Sequence, residues 1–220
     1  MVWMIRVFGN AMLKHLYQGL PLGQSLGAFR RGVRARARTL LGENQSWRQR
    51  GLPAWLLGLL CLLLAADEAI RLAMPEQAAR VALIRQAMRR AYRGVIRFAV
   101  RFGLGFLPLF RRPLVPLGRV YRLVNRVFGH ALEVDYSTDR ETYFYADVRR
   151  CQMFTFFEAH GAPALTRVMC GWDRNWFEEI DPERHGVRFT RDRLISSGDP
   201  LCAFHFERAE AAPAETQEEQ

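Results

Sequence analysis

Residues 151–173 read CQMFTFFEAHGAPALTRVMCGWD and residues 187–206 read VRFTRDRLISSGDPLCAFHF. The second stretch sets two apolar-rich runs around Ser197-Gly198-Asp199-Pro200, a turn composition, so residues 187–196 and 201–208 are predicted as a β-hairpin. Just upstream, ETYFYADVRRC (141–151) is rich in aromatic and β-branched residues and is predicted as a third strand. Residues 152–160 form a short helix stopped by Gly161, and Pro163 opens a longer helix running to about residue 180. A small antiparallel sheet with a packed helix follows, preceded by an arginine-rich helical half. The fold class is α+β.

The same stretch holds three of the four cysteines. Cys151 closes a strand, Cys170 lies on the long helix with Asp173 one turn on, and Cys202 lies in the last strand. A thiol is a strong nucleophile if its pKa is lowered. A carboxylate on the same helical face raises that pKa, so Asp173 fits a general base for water better than an activator of Cys170. Arg188 and Arg191 are candidates to pair bidentately with an anionic group, although their odd spacing forbids both from facing one side of a strand. Trp172 is a candidate pocket wall. His205 alternates with Cys202, Phe204 and Phe206 and so points away from the thiol face. The cysteines have no C-x-x-C pair, so no metal and no cofactor are expected. The plain alternative is that all three are small residues of a packed core.

Several features resemble the L-2-amino-thiazoline-4-carboxylic acid hydrolase family over about residues 143–207. They are Cys151 at a strand end, the Phe157/Gly161/Pro163 step, Cys170-x-x-Asp173, Val187-x-Phe189, and Gly198-x-x-x-Cys202-x-Phe204. The resemblance implies hydrolytic opening of a small cyclic, amidine-like thiazoline, with catalytic residues drawn from Cys151, Cys170, Asp173 and Cys202. Arg188, Arg191 and Trp172 would be its substrate-binding residues. The chain departs from the family pattern in the long basic and apolar stretch before residue 130 and in Arg193, where a small or hydroxyl side chain is expected.

Outward from this segment the charge changes sign. Residues 1–130 carry 22 basic and 4 acidic side chains, whereas residues 131–220 carry 10 and 18. The basic half faces either an anionic partner or the acidic half of its own chain. Four regions are expected: a basic amphipathic leader (1–50), a helical basic region (51–130), the α+β domain (131–208) and an acidic tail (209–220). Residues 52–66, LPAWLLGLLCLLLAA, are too short for a comfortable bilayer span and read as a buried, interfacial or membrane helix. From residue 77 to about 102, Arg85, Arg89, Arg93, Arg97 and Arg101 recur every fourth position beside an apolar stripe. No nucleic-acid-binding motif accompanies the charge, so no nucleic-acid partner is expected.

Three function classes remain: a thiazoline-type hydrolase, a non-catalytic ligand-binding module of the same fold, and a membrane-peripheral protein using residues 1–110. The expected location is the cytoplasm, either free or held on, or anchored in, the inner membrane.

Overall fold

The computed structural model describes residues 2–20, 23–139 and 141–209. Its first half is a helical layer: α1 (Val2–Gln18), α2 (Leu26–Glu43), the short α3 (Ser46–Gln49), α4 (Ala54–Ile70) and the long α5 (Gln77–Leu104). Helix α4 is apolar on every side from Ala54 to Ala66, which a helix tolerates only when surrounded. Leu56, Leu57 and all residues from Leu59 to Asp67 are buried, enclosed by α1, α2, α5 and α7 (Gln152–Ala159). Residues 52–66 are thus a core helix, and among the described residues no helix is long and apolar enough to cross a membrane. Each leucine withdrawn from water there contributes roughly 2 kcal/mol.

The expected leader also lines this core. Ser25 caps α2 by accepting a hydrogen bond from the amide of Ala28 (3.2 Å), and Phe29, Val33 and Leu40 turn inward. Met12, Leu13 and Leu16 of α1 join them. One apolar cluster runs from these residues through α4 and α5 to Phe156, Phe157, Leu165 and Met169. It crosses residue 130, where the composition changes but the packing does not stop.

A buried ion pair ties α4 to the start of α5. Arg80 Nε donates to Asp67 Oδ1 at 2.8 Å, with both side chains 5% exposed or less, and Arg80 Nη1 donates to the Met74 carbonyl at 3.0 Å.

The second half is a four-stranded antiparallel sheet of order β1-β2-β4-β3, made of β1 (Leu132–Asp139), β2 (Tyr143–Cys151), β3 (Val187–Thr190) and β4 (Cys202–Arg208). Its inner face carries Phe144, Ala146, Val148, Val187, Cys202, Phe204 and Phe206, covered by α6 (Leu114–Val127) through Leu114, Leu117 and Tyr121. Gly118 permits the close approach, because a Cβ there would sit 3.0 Å from the Phe144 ring. The outer face is polar: His205 pairs with Asp147 (2.9 Å) and stacks on Tyr145.

Strand β1 is not in the sequence expectation, and the 187–196 strand is only half as long as expected, giving way to a loop after Thr190. The helix expected over 163–180 is a 3₁₀ turn (Pro163–Leu165) followed by α8 (Thr166–Trp172) and α9 (Arg174–Phe177), interrupted at Asp173. The last helix, α10 (Pro182–His185), ends on Gly186 at φ 65°, the left-handed turn that feeds β3. The acidic tail lies outside the described residues from residue 210 on.

The two halves also meet through charge. Arg89 pairs with Glu178, Arg97 and Arg101 both pair with Glu179, and Arg112 pairs with Glu141. Part of the arginine band therefore docks on the acidic half of its own chain.

Candidate active site

The site lies on the seam between the helical cluster and the sheet cluster. Helix α8 brings Cys170 and, just past its end, Asp173. Strand β4 starts at Cys202, opposite Val148 of β2, and β2 ends at Cys151. The loop from residue 191 to 201 joins them.

Arg191 opens that loop and is the central contact. Its Nη1 donates to Asp173 Oδ2 at 2.7 Å and its Nη2 to the Cys170 carbonyl at 2.9 Å. The guanidinium lies 4.9 Å from the Phe177 ring centre and 5.3 Å from that of Phe204, and the side chain is 8% exposed. A planar, weakly hydrated cation suits such an aromatic slot. The other oxygen of Asp173 accepts from Trp176 Nε1 at 3.4 Å. Arg188, in contrast, is exposed opposite Glu207, so of the two candidate clamps only Arg191 reaches the site.

Further along the loop, a 3₁₀ turn (Ile195–Ser197) links two thiols. The Ile195 amide donates to Cys202 Sγ at 3.3 Å, and Ser196 Oγ lies 3.4 Å from Cys170 Sγ. Adjacent residues of one turn thus touch both sulfurs. The turn is fixed by Leu194 N donating to Asp199 Oδ2 (2.8 Å) and by Gly198 at φ 99°, a conformation that favours glycine. Cys151, at the N-cap of α7, is buried with Cys202 in the sheet cluster and lies within electrostatic reach of the Cys170 and Cys202 sulfurs.

Burial sets the protonation. It pushes Cys151 up to about 12 and Cys170 up to about 11, and it raises Cys202 as well. The Ser196 hydroxyl opposes the shift at Cys170, but desolvation is the larger effect. Burial also raises Asp173, against the opposing pull of Arg191 and Trp176. The thiols are therefore neutral at physiological pH, and the ionisable carboxyl beside them is that of Asp173.

Trp172 points away from this cluster. It packs edge-on against Tyr92 of α5 at 6.0 Å and belongs to the helical core. Instead, Trp176, Phe177, Phe204 and Tyr121 wall the site; Tyr121 reaches in from α6 and stands near enough to Asp173 to have its own pKa raised by it, though burial is the larger cause.

A family model for L-2-amino-thiazoline-4-carboxylic acid hydrolase matches residues 60–206, two thirds of the chain. The chain belongs to that family. The match begins inside α4, so the long basic helix α5, which looked foreign to the hydrolase pattern, lies within the family's span. All the loop contacts to Cys170, Asp173 and Cys202 fall inside it too. No curated protein and no solved structure matches the chain.

Two residues of the site escape the sequence reading. Ser196 falls at the end of the strand predicted over 187–196, and nothing in the sequence singles out Tyr121. Among the described residues no three His, Cys, Asp or Glu side chains are grouped to hold a metal ion.

Proposed function

We propose that the protein is a hydrolase that opens a small five-membered cyclic amidine of the 2-amino-thiazoline type by attack of water. Asp173 takes a proton from water as oxygen bonds to the ring carbon between the two nitrogens and the sulfur. The ring carbon–nitrogen double bond opens as oxygen adds, and its nitrogen takes the second proton of the water. The carbon–sulfur bond then breaks as the carbon–oxygen double bond forms, and the proton held by Asp173 passes to the departing sulfur. The product is a urea bearing a free thiol, with water as the only co-reactant. What carries this reading is the Arg191–Asp173 pair beside Cys170 in a chain that belongs to this family.

Arg191 is the positioning residue. It fixes the carboxylate and supplies the positive charge that opposes the effect of burial on it. Cys170 and Cys202 act as neutral walls. A thiol with a pKa of about 11 is ionised on the order of one part in ten thousand at pH 7, too little for a working nucleophile without further activation.

The test is release of a titratable thiol from 2-amino-thiazoline-4-carboxylic acid by the purified chain. No release from the substrate or its ring analogues overturns the reading. Cys170→Ala is expected to keep at least about a tenth of kcat, because water attacks without it. Complete loss in that variant, with a mass adduct on Cys170 of the wild type, would instead assign attack to the thiolate.

The cation for the ring carboxylate is Arg167 rather than Arg188. Arg167 lies one helical turn before Cys170, and its Nε donates to the Ser196 carbonyl at 3.4 Å. Its two terminal nitrogens have no partner among the described residues. Arg167→Gln should raise KM roughly tenfold or more while changing kcat little, since it removes a charge-assisted contact made equally in ground and transition states.

A second reading, ligand binding without turnover, is favoured by one observation. Two hollows, one lined by Gln77, Val81, Arg85 and Arg167 and one by the later part of α5, are lined by none of the three thiols. Tight binding of the thiazoline acid without thiol release would mark that outcome.

A further inference from the structure

Between Glu76 and Glu133 the chain carries twelve arginines and no aspartate or glutamate. Helix α5 occupies half of that interval and splits into two unlike parts. In its first half the stripe Val81, Ile84 and Met88 is buried in the helical core. The stripe continues at the same helical spacing as Val95, Phe98 and Phe102. These are 60%, 76% and 64% exposed, because the core ends and the helix runs on.

The turn beyond α5 adds exposed Phe106, Leu109 and Phe110, with Phe106 edge-on to Phe102 at 5.1 Å. Arg90, Arg93, Arg97 and Arg101 border the two phenylalanines around a shallow hollow of about 710 Å³. Glu179 holds Arg97 and Arg101, whereas Arg90 and Arg93 are exposed and have no carboxylate of the described residues within 4.0 Å. Helix α6 repeats the combination, with exposed Val120, Leu123, Val124 and Val127 among Arg119 and Arg126.

An apolar protein partner would explain the phenylalanines but would be repelled by no carboxylate and rewarded by no arginine. A nucleic acid would use the arginines but would leave the aliphatic rows of α5 and α6 facing water. Only a surface that is anionic at its boundary and apolar just beneath it satisfies both sets of side chains. We propose that residues 90–110 dock the protein on an anionic phospholipid bilayer, with Phe98 and Phe102 entering the acyl boundary and Arg90 and Arg93 meeting headgroup phosphates. This surface is independent of the ring-opening chemistry.

The test is sedimentation of the full chain with phosphatidylcholine vesicles containing about a third phosphatidylglycerol. Binding should be strong on these vesicles, weak on phosphatidylcholine alone, and reduced by high salt. Phe98→Ser/Phe102→Ser should lower the partition coefficient at least about tenfold, and Arg90→Gln/Arg93→Gln roughly fivefold for each charge. Arg149→Gln, on the outer sheet face, is the control and should leave it unchanged. Three results would overturn the proposal. One is no sedimentation, and another is an equal loss in the Arg149 control, which would reduce the effect to net charge. The third is a wild-type dimer in ultracentrifugation without lipid that Phe98→Ser/Phe102→Ser converts to monomer, which would assign the face to a second copy of the chain.

Discussion

Asp173→Asn is expected to lower kcat for thiazoline opening by about 10²–10⁴-fold while the protein stays folded. Asparagine keeps the size of the side chain and one oxygen acceptor for Arg191, so the positioning contact survives in weakened form. What is lost is the basic oxygen, and neither neighbouring thiol can replace it, because burial holds both protonated at neutral pH. The pH profile of the wild type carries a second signature. A base works only when deprotonated, so activity falls as the solution is acidified through its pKa. Burial raises Asp173, which puts the acid limb of kcat/KM above the ordinary aspartate range. Arg191→Gln removes the opposing positive charge and should move that limb further up. A residue that merely held the loop in place would not shift it. Thiol release read against pH checks both statements, and an Asp173→Asn variant with more than about a third of wild-type kcat would remove the aspartate from the chemistry.

Asp67→Ala is expected to destabilise the fold by about 3–5 kcal/mol, the cost of leaving a buried guanidinium without its counter-charge. Arg80 is 4% exposed and would keep its bonds to backbone carbonyls but not its carboxylate. At this chain length the loss corresponds to roughly 10 °C or more in Tm. The pair replaced together, as Asp67→Leu/Arg80→Met, should recover most of the stability, because no isolated charge then remains inside. Urea denaturation of the three proteins separates the cases. A single-variant loss under about 1 kcal/mol would mean that water reaches Arg80 when its partner is gone.

The sequence reading succeeds where local chemistry and burial agree. The apolar run in α4, the arginine spacing of α5 and the hairpin around Gly198 each carry a one-dimensional signal, and each is found. Strand β1 carries almost none. Its residues are all exposed or half-buried, so alternation has no buried face to mark, and only pairing with β2 makes it a strand. Arg191 illustrates the same limit within the site. Strand parity shows that it and Arg188 diverge, yet which of them meets Asp173 depends on the strand ending at Thr190. Trp172 and Trp176 are equivalent in sequence as flanks of Asp173. The helical interruption at Asp173 sends the first to Tyr92 and the second to the carboxylate.

Arg191, the Ile195 amide and Ser196 all come from the single loop between β3 and β4, and that loop is anchored at both ends in the same ladder. Within it only Leu194 and Ile195 pack against the sheet cluster, so its other side chains are free to drift while the scaffold persists. Substrate choice within this lineage should therefore change by rewriting this one cassette, and grafting it between relatives is the economical route to exchanging their preferences.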